Sequence, residues 1–254
     1  MDHTLVPDRA RGVFSTMLVV DGRPVALEPH LAQLRESVRT LYGIELPARA
    51  AGLVAEEAHG LELGRVRLAC HLGPDGVARL EAHARTVDRA LAPPDEGLAL
   101  RSAPVDGWNG AHKWVDRRLL DQLEAAVAPA EALLVEHDGR VLETTRANVF
   151  ALGHDGVLRT PPTDGSILPG VTRAATIALA HELSVRVREE TLGRAQLCAA
   201  REVFATGSIR GIELVRSLDG VPVGDRGELT SALADALRRR WLARNVGRVR
   251  AGRA

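Results

Sequence analysis

From residue 12 to residue 20 the chain reads GVFSTMLVV, a density of β-branched and aromatic residues that favours a strand. Asp21-Gly22 is a two-residue hairpin signal, so Arg23 to Leu27 is expected to return as a second strand. The period then changes. Beyond Pro29, the residues Leu31, Leu34, Val38 and Leu41 fall on one face of a helix, and Gly43 follows as its stop. A second helix is expected from Pro47 to about His59. Polar and apolar positions alternate over 65–72, and the turn Pro74-Asp75-Gly76 leads into a strand from Val77 to Arg85. A further strand covers Gly97 to Ala103, set off by Pro93-Pro94.

The stretch 104–111 (PVDGWNGA) reads as a connector, and the pattern beyond it differs. Val115 to Val127 is an amphipathic helix carrying Leu119, Leu120 and Leu123. A meander follows over 132–136, 141–143, 147–152 and 157–160, with turns at Asp138-Gly139 and Asp155-Gly156. The loop 161–170 leads into a helix through Leu183, then a strand over 185–187 and a short helix from Gly193 to Cys198. A strand from Glu202 to Thr206, a hairpin at Asp219-Gly220 and a helix from Glu228 to Trp241 complete the chain. The fold class is α+β in two domains: residues 1–105 form a small N-terminal α+β domain and 106–254 a larger C-terminal one.

Composition narrows the function. The formal net charge is zero, which argues against a nucleic-acid partner, and the basic stretch Arg244 to Arg253 reads as a frayed, solvated end. No apolar run reaches the roughly 18 residues of a membrane span, and the start at Met1-Asp2-His3 lacks a signal pattern. Cys70 and Cys198 lie far apart and read as free thiols of a reducing, cytoplasmic setting. The nine histidines show no clustered ligand spacing, so no metal is expected. Among 33 basic residues Lys113 is the single lysine. Arginine replaces lysine in solvation and ion pairing but not as an amine nucleophile, because its guanidinium stays protonated. A chain that avoids lysine and keeps one draws attention to that position.

Four ordered segments surround this argument. They are His112-Lys113-Trp114; Glu143 to Phe150 (ETTRANVF); Leu168 to Arg173 (LPGVTR); and Phe204 to Gly211 (FATGSIRG). In order and spacing they resemble the fold-type IV pyridoxal-phosphate enzymes: branched-chain aminotransferases, D-amino-acid aminotransferases and aminodeoxychorismate lyases. The early stretch GVFSTMLVVDGRPVALEPHLAQL shares the resemblance.

The resemblance implies a two-domain, D-amino-acid-aminotransferase-like architecture, a homodimer, and pyridoxal 5′-phosphate as cofactor. It implies that Lys113, carried by the C-terminal domain, forms the Schiff base, and that Glu143 pairs with the ring nitrogen. Such a carboxylate keeps the ring protonated and able to accept electrons. Val171 and Thr172, at a helix start suited to anions, are implied to hold the phosphate together with Ser208 and Ile209. One position departs from the pattern: where the family usually has arginine three residues after the histidine, Gln33 follows His30. A glutamine amide donates hydrogen bonds but brings no charge.

Two segments lean toward the lyases. His112-Lys113 with Arg117 and Leu120 resembles their lysine-bearing helix, and Ser208-Ile209-Arg210-Gly211 resembles their SVRG turn, where Arg210 would bind a substrate carboxylate. The expectation is a lyase releasing pyruvate and 4-aminobenzoate from 4-amino-4-deoxychorismate in folate synthesis. A class IV aminotransferase acting on branched-chain or D-amino acids, and a divergent cofactor-binding protein without activity, stay open.

Overall fold

The computed structural model describes residues 6–88, 97–224 and 227–246; the Pro93-Pro94 break and the tail from residue 247 lie outside the described residues. The chain divides into two compact units. The first holds residues 7–88, the short segment His112–Asp116 and residues 238–246, and the second holds 97–111, 117–224 and 227–237. Lys113 therefore groups with the first unit, whereas the sequence reading put it in the C-terminal domain. The physical reason is a backbone tie. Phe14 N–H donates to the Lys113 carbonyl at 2.8 Å and Val115 N–H donates to the Gly12 carbonyl at 3.0 Å, which pairs Trp114 with Val13.

The first unit runs β1 (Val13–Val20), β2 (Arg23–Pro24), α1 (Leu27–Tyr42), α2 (Ala50–Ala58), β3 (Leu63–Leu72) and β4 (Ala78–Thr86). Its antiparallel sheet has the order β2-β1-β3-β4. The Asp21-Gly22 turn takes positive φ at both residues (48° and 72°), as a tight hairpin requires. The returning strand is shorter than expected because Ala26 is left-handed (φ 52°) and α1 already begins at Leu27, with Pro29 in the first turn where its missing N–H costs nothing. The stripe Leu31, Leu34 and Val38 is buried, and Gly43 caps the helix at φ 66°. On β3, Gly64, Val66, Leu68 and Cys70 are buried while Arg65 and Arg67 alternate with them on the other face.

The second unit begins with β5 (Leu98–Val105), α3 (Arg118–Val127), β6 (Glu131–Glu136), β7 (Arg140–Thr144), β8 (Asn148–Leu152) and β9 (Val157–Thr160). It continues with α4 (Val171–Glu182), β10 (Arg186–Glu189), β11 (Leu192–Gly193), α5 (Arg194–Cys198), β12 (Glu202–Gly207), β13 (Gly211–Leu218), β14 (Val221–Pro222) and the start of α6 (Glu228–Val246). Helix α3 begins three residues later than the periodicity predicts, because residues up to Asp116 belong to the first unit.

The strand order β8-β12-β13-β5-β6-β7 returns to β8 through the β7–β8 hairpin, so these six strands close into a barrel. That closure rests on one paired position, Glu143 opposite Asn148. The run Ala132-Leu133-Leu134 is buried on both faces of β6, as a strand between two apolar layers must be. Leu133 packs with Val149, Ala151, Val203 and Val215, whereas Ala132 and Leu134 pack with Leu119, Leu120 and Leu123 of α3. Phe150 and Phe204, directly paired on β8 and β12, stack with centroids 5.0 Å apart. Buried Glu202 accepts from the N–H groups of Leu229 and Thr230 and from the Thr230 hydroxyl, anchoring the positive end of α6.

Candidate active site

Lys113 is half-buried and has no helix of its own; the bond from Phe14 of β1 to its carbonyl, and the flanking bond from Val115 to Gly12, hold its segment. Its neighbours in the first unit are specific. Nζ lies 5.4 Å from the centre of the Phe14 ring, and the Arg67 guanidinium carbon lies 3.6 Å over the same ring. His112 Nδ1 is 3.0 Å from the buried Ser37 hydroxyl of α1, and its ring meets Trp114 edge-on. His30, also buried, sits 2.9 Å from Ser15 Oγ through Nδ1. Burial first and the Lys113 charge second push the His30 pKa down to about 3, so the imidazole is neutral at working pH. Gln33 lies half-buried one turn along α1, its Oε1 3.5 Å from the same Ser15 hydroxyl.

The other candidate residues gather in the second unit. Glu143, at the end of β7, is 7% exposed, and its carboxylate is aimed by two groups. The Leu168 N–H lies 3.2 Å from each of its oxygens, and Asn148 Nδ2 donates to Oε2 at 2.9 Å. The same Asn148 nitrogen donates to the Leu168 carbonyl at 2.9 Å. A sharp turn puts these residues together: Thr144 N–H donates to the Ala147 carbonyl, and the Thr144 hydroxyl accepts from the N–H groups of Arg146 and Ala147. Behind the turn Glu124 of α3 takes Arg146 in a two-pronged ion pair and Arg117 at 3.0 Å, tying helix to hairpin.

Helix α4 starts at Val171, directly after Leu168-Pro169-Gly170. Its first internal bond runs from Ala174 N–H to the Gly170 carbonyl, so the N–H groups ahead of it have no partner within the helix. Such an end attracts anions. The Thr172 side chain there is buried and its hydroxyl has no hydrogen-bond partner. Gly170 is packed against the Asn148 amide, since a Cβ there would stand 2.1 Å from Asn148 Oδ1, so only glycine fits. Val171 is half-buried beside it. Arg173 turns elsewhere, to the Pro161 carbonyl and Glu189.

Ser208, Ile209 and Arg210 form the loop between β12 and β13, closed by the pair Gly207–Gly211, and all three are half-buried. Thr206, paired with Asn148, carries a second buried hydroxyl without a partner, and Gly207 lies against the Arg146 carbonyl. The Arg210 guanidinium is engaged by Glu131 at 3.2 Å and by Glu213. Burial pushes the Glu213 pKa up to about 7, against the lowering pull of Arg210.

Thus Glu143, Val171, Thr172 and the Ser208 loop belong to one unit, and Lys113 to the other. Two residues escaped the sequence reading. Arg67 was legible only as the outer face of an alternating strand. Asn148 lay within a motif, but nothing in sequence assigns an amide to two acceptors as far apart in the chain as Glu143 and Leu168.

A pyridoxal phosphate needs a reactive amine, a carboxylate for its ring nitrogen and donors for a dianionic phosphate. An orphaned buried Thr172 hydroxyl beside open helix N–H groups, and a buried carboxylate fixed by two donors, fit that group. Among the described residues no cluster of His, Cys, Asp and Glu could hold a metal, and no helix is long and apolar enough to cross a membrane.

The family model for amino-transferase class IV matches residues 12–218. A provisionally assigned branched-chain-amino-acid aminotransferase of Methanocaldococcus jannaschii is 30% identical over 272 residues, covering 94% of this chain and 91% of that protein. The branched-chain-amino-acid aminotransferase of Escherichia coli K12 is 45% identical over 95 residues. That stretch is 37% of this chain and only 30% of the E. coli enzyme, well under two thirds of its length. The crystal structure of a provisionally assigned 4-amino-4-deoxychorismate lyase from Legionella pneumophila superposes with a TM-score of 0.81 at 23% identity, covering 93% of this chain and 94% of that one. On this evidence the chain belongs to the class IV aminotransferase family, as a fold-type IV enzyme dependent on pyridoxal phosphate.

Proposed function

We propose that this enzyme is a lyase that converts 4-amino-4-deoxychorismate to 4-aminobenzoate and pyruvate. The observation that carries the reading is the Ser208–Gly211 loop between β12 and β13, which carries the half-buried Arg210 two residues beyond Ser208. A substrate with two carboxylates suits a bidentate guanidinium. Arg210 is held by Glu131 and Glu213, and a substrate carboxylate would take their place on the guanidinium.

In this reading Lys113 holds the cofactor through its amine. Glu143 keeps a proton on the ring nitrogen, and Val171, Thr172, Ser208 and Ile209 hold the phosphate through N–H and hydroxyl groups. Bound there, the cofactor supplies an electron sink for a substrate carbanion. Lys113 Nζ takes the proton from the amine-bearing carbon of the substrate. The neighbouring carbon–oxygen bond then breaks, the ring becomes aromatic, and the released enolpyruvate gains the proton to become pyruvate. No oxidant and no second substrate are consumed. A homodimer in the cytoplasm is part of the same proposal.

A class IV aminotransferase acting on branched-chain or D-amino acids is the second reading, favoured by the stretch 45% identical to the E. coli enzyme. One assay separates the two. The holoenzyme is incubated with 4-amino-4-deoxychorismate and no keto acid, and pyruvate is measured. Stoichiometric pyruvate and 4-aminobenzoate support the lyase; product formed only from an amino acid with a keto-acid acceptor overturns it.

A further inference from the structure

We propose that Asn148 is a positioning residue: its single amide nitrogen locks the Glu143 carboxylate to the start of α4, so that ring partner and anion site keep a fixed spacing. The inference rests on the reading of Glu143 as the ring-nitrogen partner. Three observations converge on it. Asn148 Nδ2 donates both hydrogens, one to Glu143 Oε2 and one to the Leu168 carbonyl, each at 2.9 Å. The Leu168 N–H returns a bond to Glu143, closing a ring of contacts between β7, β8 and the Leu168–Gly170 loop. Gly170, the residue before α4, has its open side filled by Asn148 Oδ1.

The amide can stand only one way round. Reversed, its oxygen would face a carboxylate and a carbonyl, two acceptors with no proton between them. Asn148 is 3% exposed, so no water competes freely for these bonds. A buried carboxylate needs donors to stay ionised, and a bond to a charged acceptor is worth more than a neutral one. Asparagine at this position also avoids what aspartate would do, which is to set a second negative charge against Glu143. The side chain touches neither substrate nor cofactor in this scheme; it acts through Glu143.

The test is a double-mutant cycle on apo protein reloaded with pyridoxal phosphate, reading the cofactor dissociation constant and the visible absorbance maximum. Asn148→Ser is too short to reach both acceptors. We expect it to weaken cofactor binding roughly tenfold in the wild-type background, the scale of one lost charge-assisted bond. It should shift the absorbance maximum in the same direction as Glu143→Gln. In the Glu143→Gln background the same change should cost less than about threefold, because the partner's charge is gone. An equal loss in both backgrounds, or a lowered melting temperature with an unmoved absorbance band, overturns the inference and leaves Asn148 a structural residue. If Glu143→Gln alone leaves both band and affinity unchanged, the reading of Glu143 fails and takes this inference with it, a result distinguishable from the first. Should Asn148→Ser fail to fold, Asn148→Asp keeps the shape, removes both donated bonds and adds a like charge beside Glu143, so its loss should exceed tenfold in the wild-type background and fall most of the way back in Glu143→Gln; an equal loss in both backgrounds overturns the inference.

Discussion

The Lys113 segment and the Glu143 cluster are held in opposite ways. The former hangs from two backbone hydrogen bonds at a single bridge, with Lys113 half-buried between an aromatic ring and a histidine that stays neutral. Glu143 is buried and gripped by a side-chain amide and a backbone N–H, in a hairpin braced from behind by Arg117, Glu124 and Arg146. On the proposed reading, a carboxylate that fixes a ring charge gains from such a grip, because a preorganised partner does not reorganise during the reaction.

That contrast can be broken at either end, and the largest effect is expected at the lysine. Lys113→Ala should eliminate the covalent link to the cofactor, seen as loss of the borohydride-fixable mass increment. Because no other lysine exists, a residual fixed adduct on a side chain would refute the assignment outright. Glu143→Gln should keep the cofactor bound but lower turnover by roughly a hundredfold or more, the scale of removing one fixed electrostatic partner. Steady-state kinetics beside cofactor titration checks it, and near-normal turnover would remove Glu143 from the ring nitrogen.

A smaller effect tests the loop that carries Arg210. The Glu213 pKa is raised from 4.5 to about 7 in the folded chain. The folded state thus holds a proton that the unfolded state has released, so this group costs stability above pH 7 and stops costing it as pH falls below 4.5. Glu213→Gln should raise the stability of the protein at pH 8, by at most about 3 kcal/mol, with the gain fading toward pH 4. Denaturant melts at the two pH values decide it; a gain that does not vary with pH would contradict the raised pKa.

The smallest effect concerns the missing arginine. Gln33→Arg should tighten cofactor binding, at most by about ten- to a hundredfold for one charge-assisted bond. Arg67, over the Phe14 ring beside Lys113, makes the alternative concrete. If Arg67 already supplies the charge, a second guanidinium in the same unit would weaken binding rather than strengthen it. An unchanged dissociation constant would mean that position 33 does not meet the cofactor.

Much of this organisation was legible in the sequence because it is local. Hairpin glycines, the α1 stripe and the strand alternation of β3 are set by neighbours in the chain, and the LPGVTR segment announces its helix start. What escaped depends on distant pairing. Trp114 meets Val13 across a hundred residues of chain, so the unit to which Lys113 belongs could not be read from a composition change near residue 105. Periodicity placed a helix from Val115, but its N–H is bonded to Gly12, just ahead of β1, and α3 begins only at Arg118. The Arg210 motif was visible, whereas its capture by Glu131 and Glu213 belongs to the folded β6 and β13.

The barrel closes through one paired position, and that position is Glu143 with Asn148. A seam one residue pair wide is where a sheet first parts in local opening. Opening it would part Glu143 from Asn148, so on the proposed reading loss of barrel integrity and loss of the ring partner's anchor become the same event there. On that reading the protein would be inactivated by warming before it unfolds, and a cofactor held by Glu143 would slow amide exchange in β7 more than in the β13–β14 hairpin.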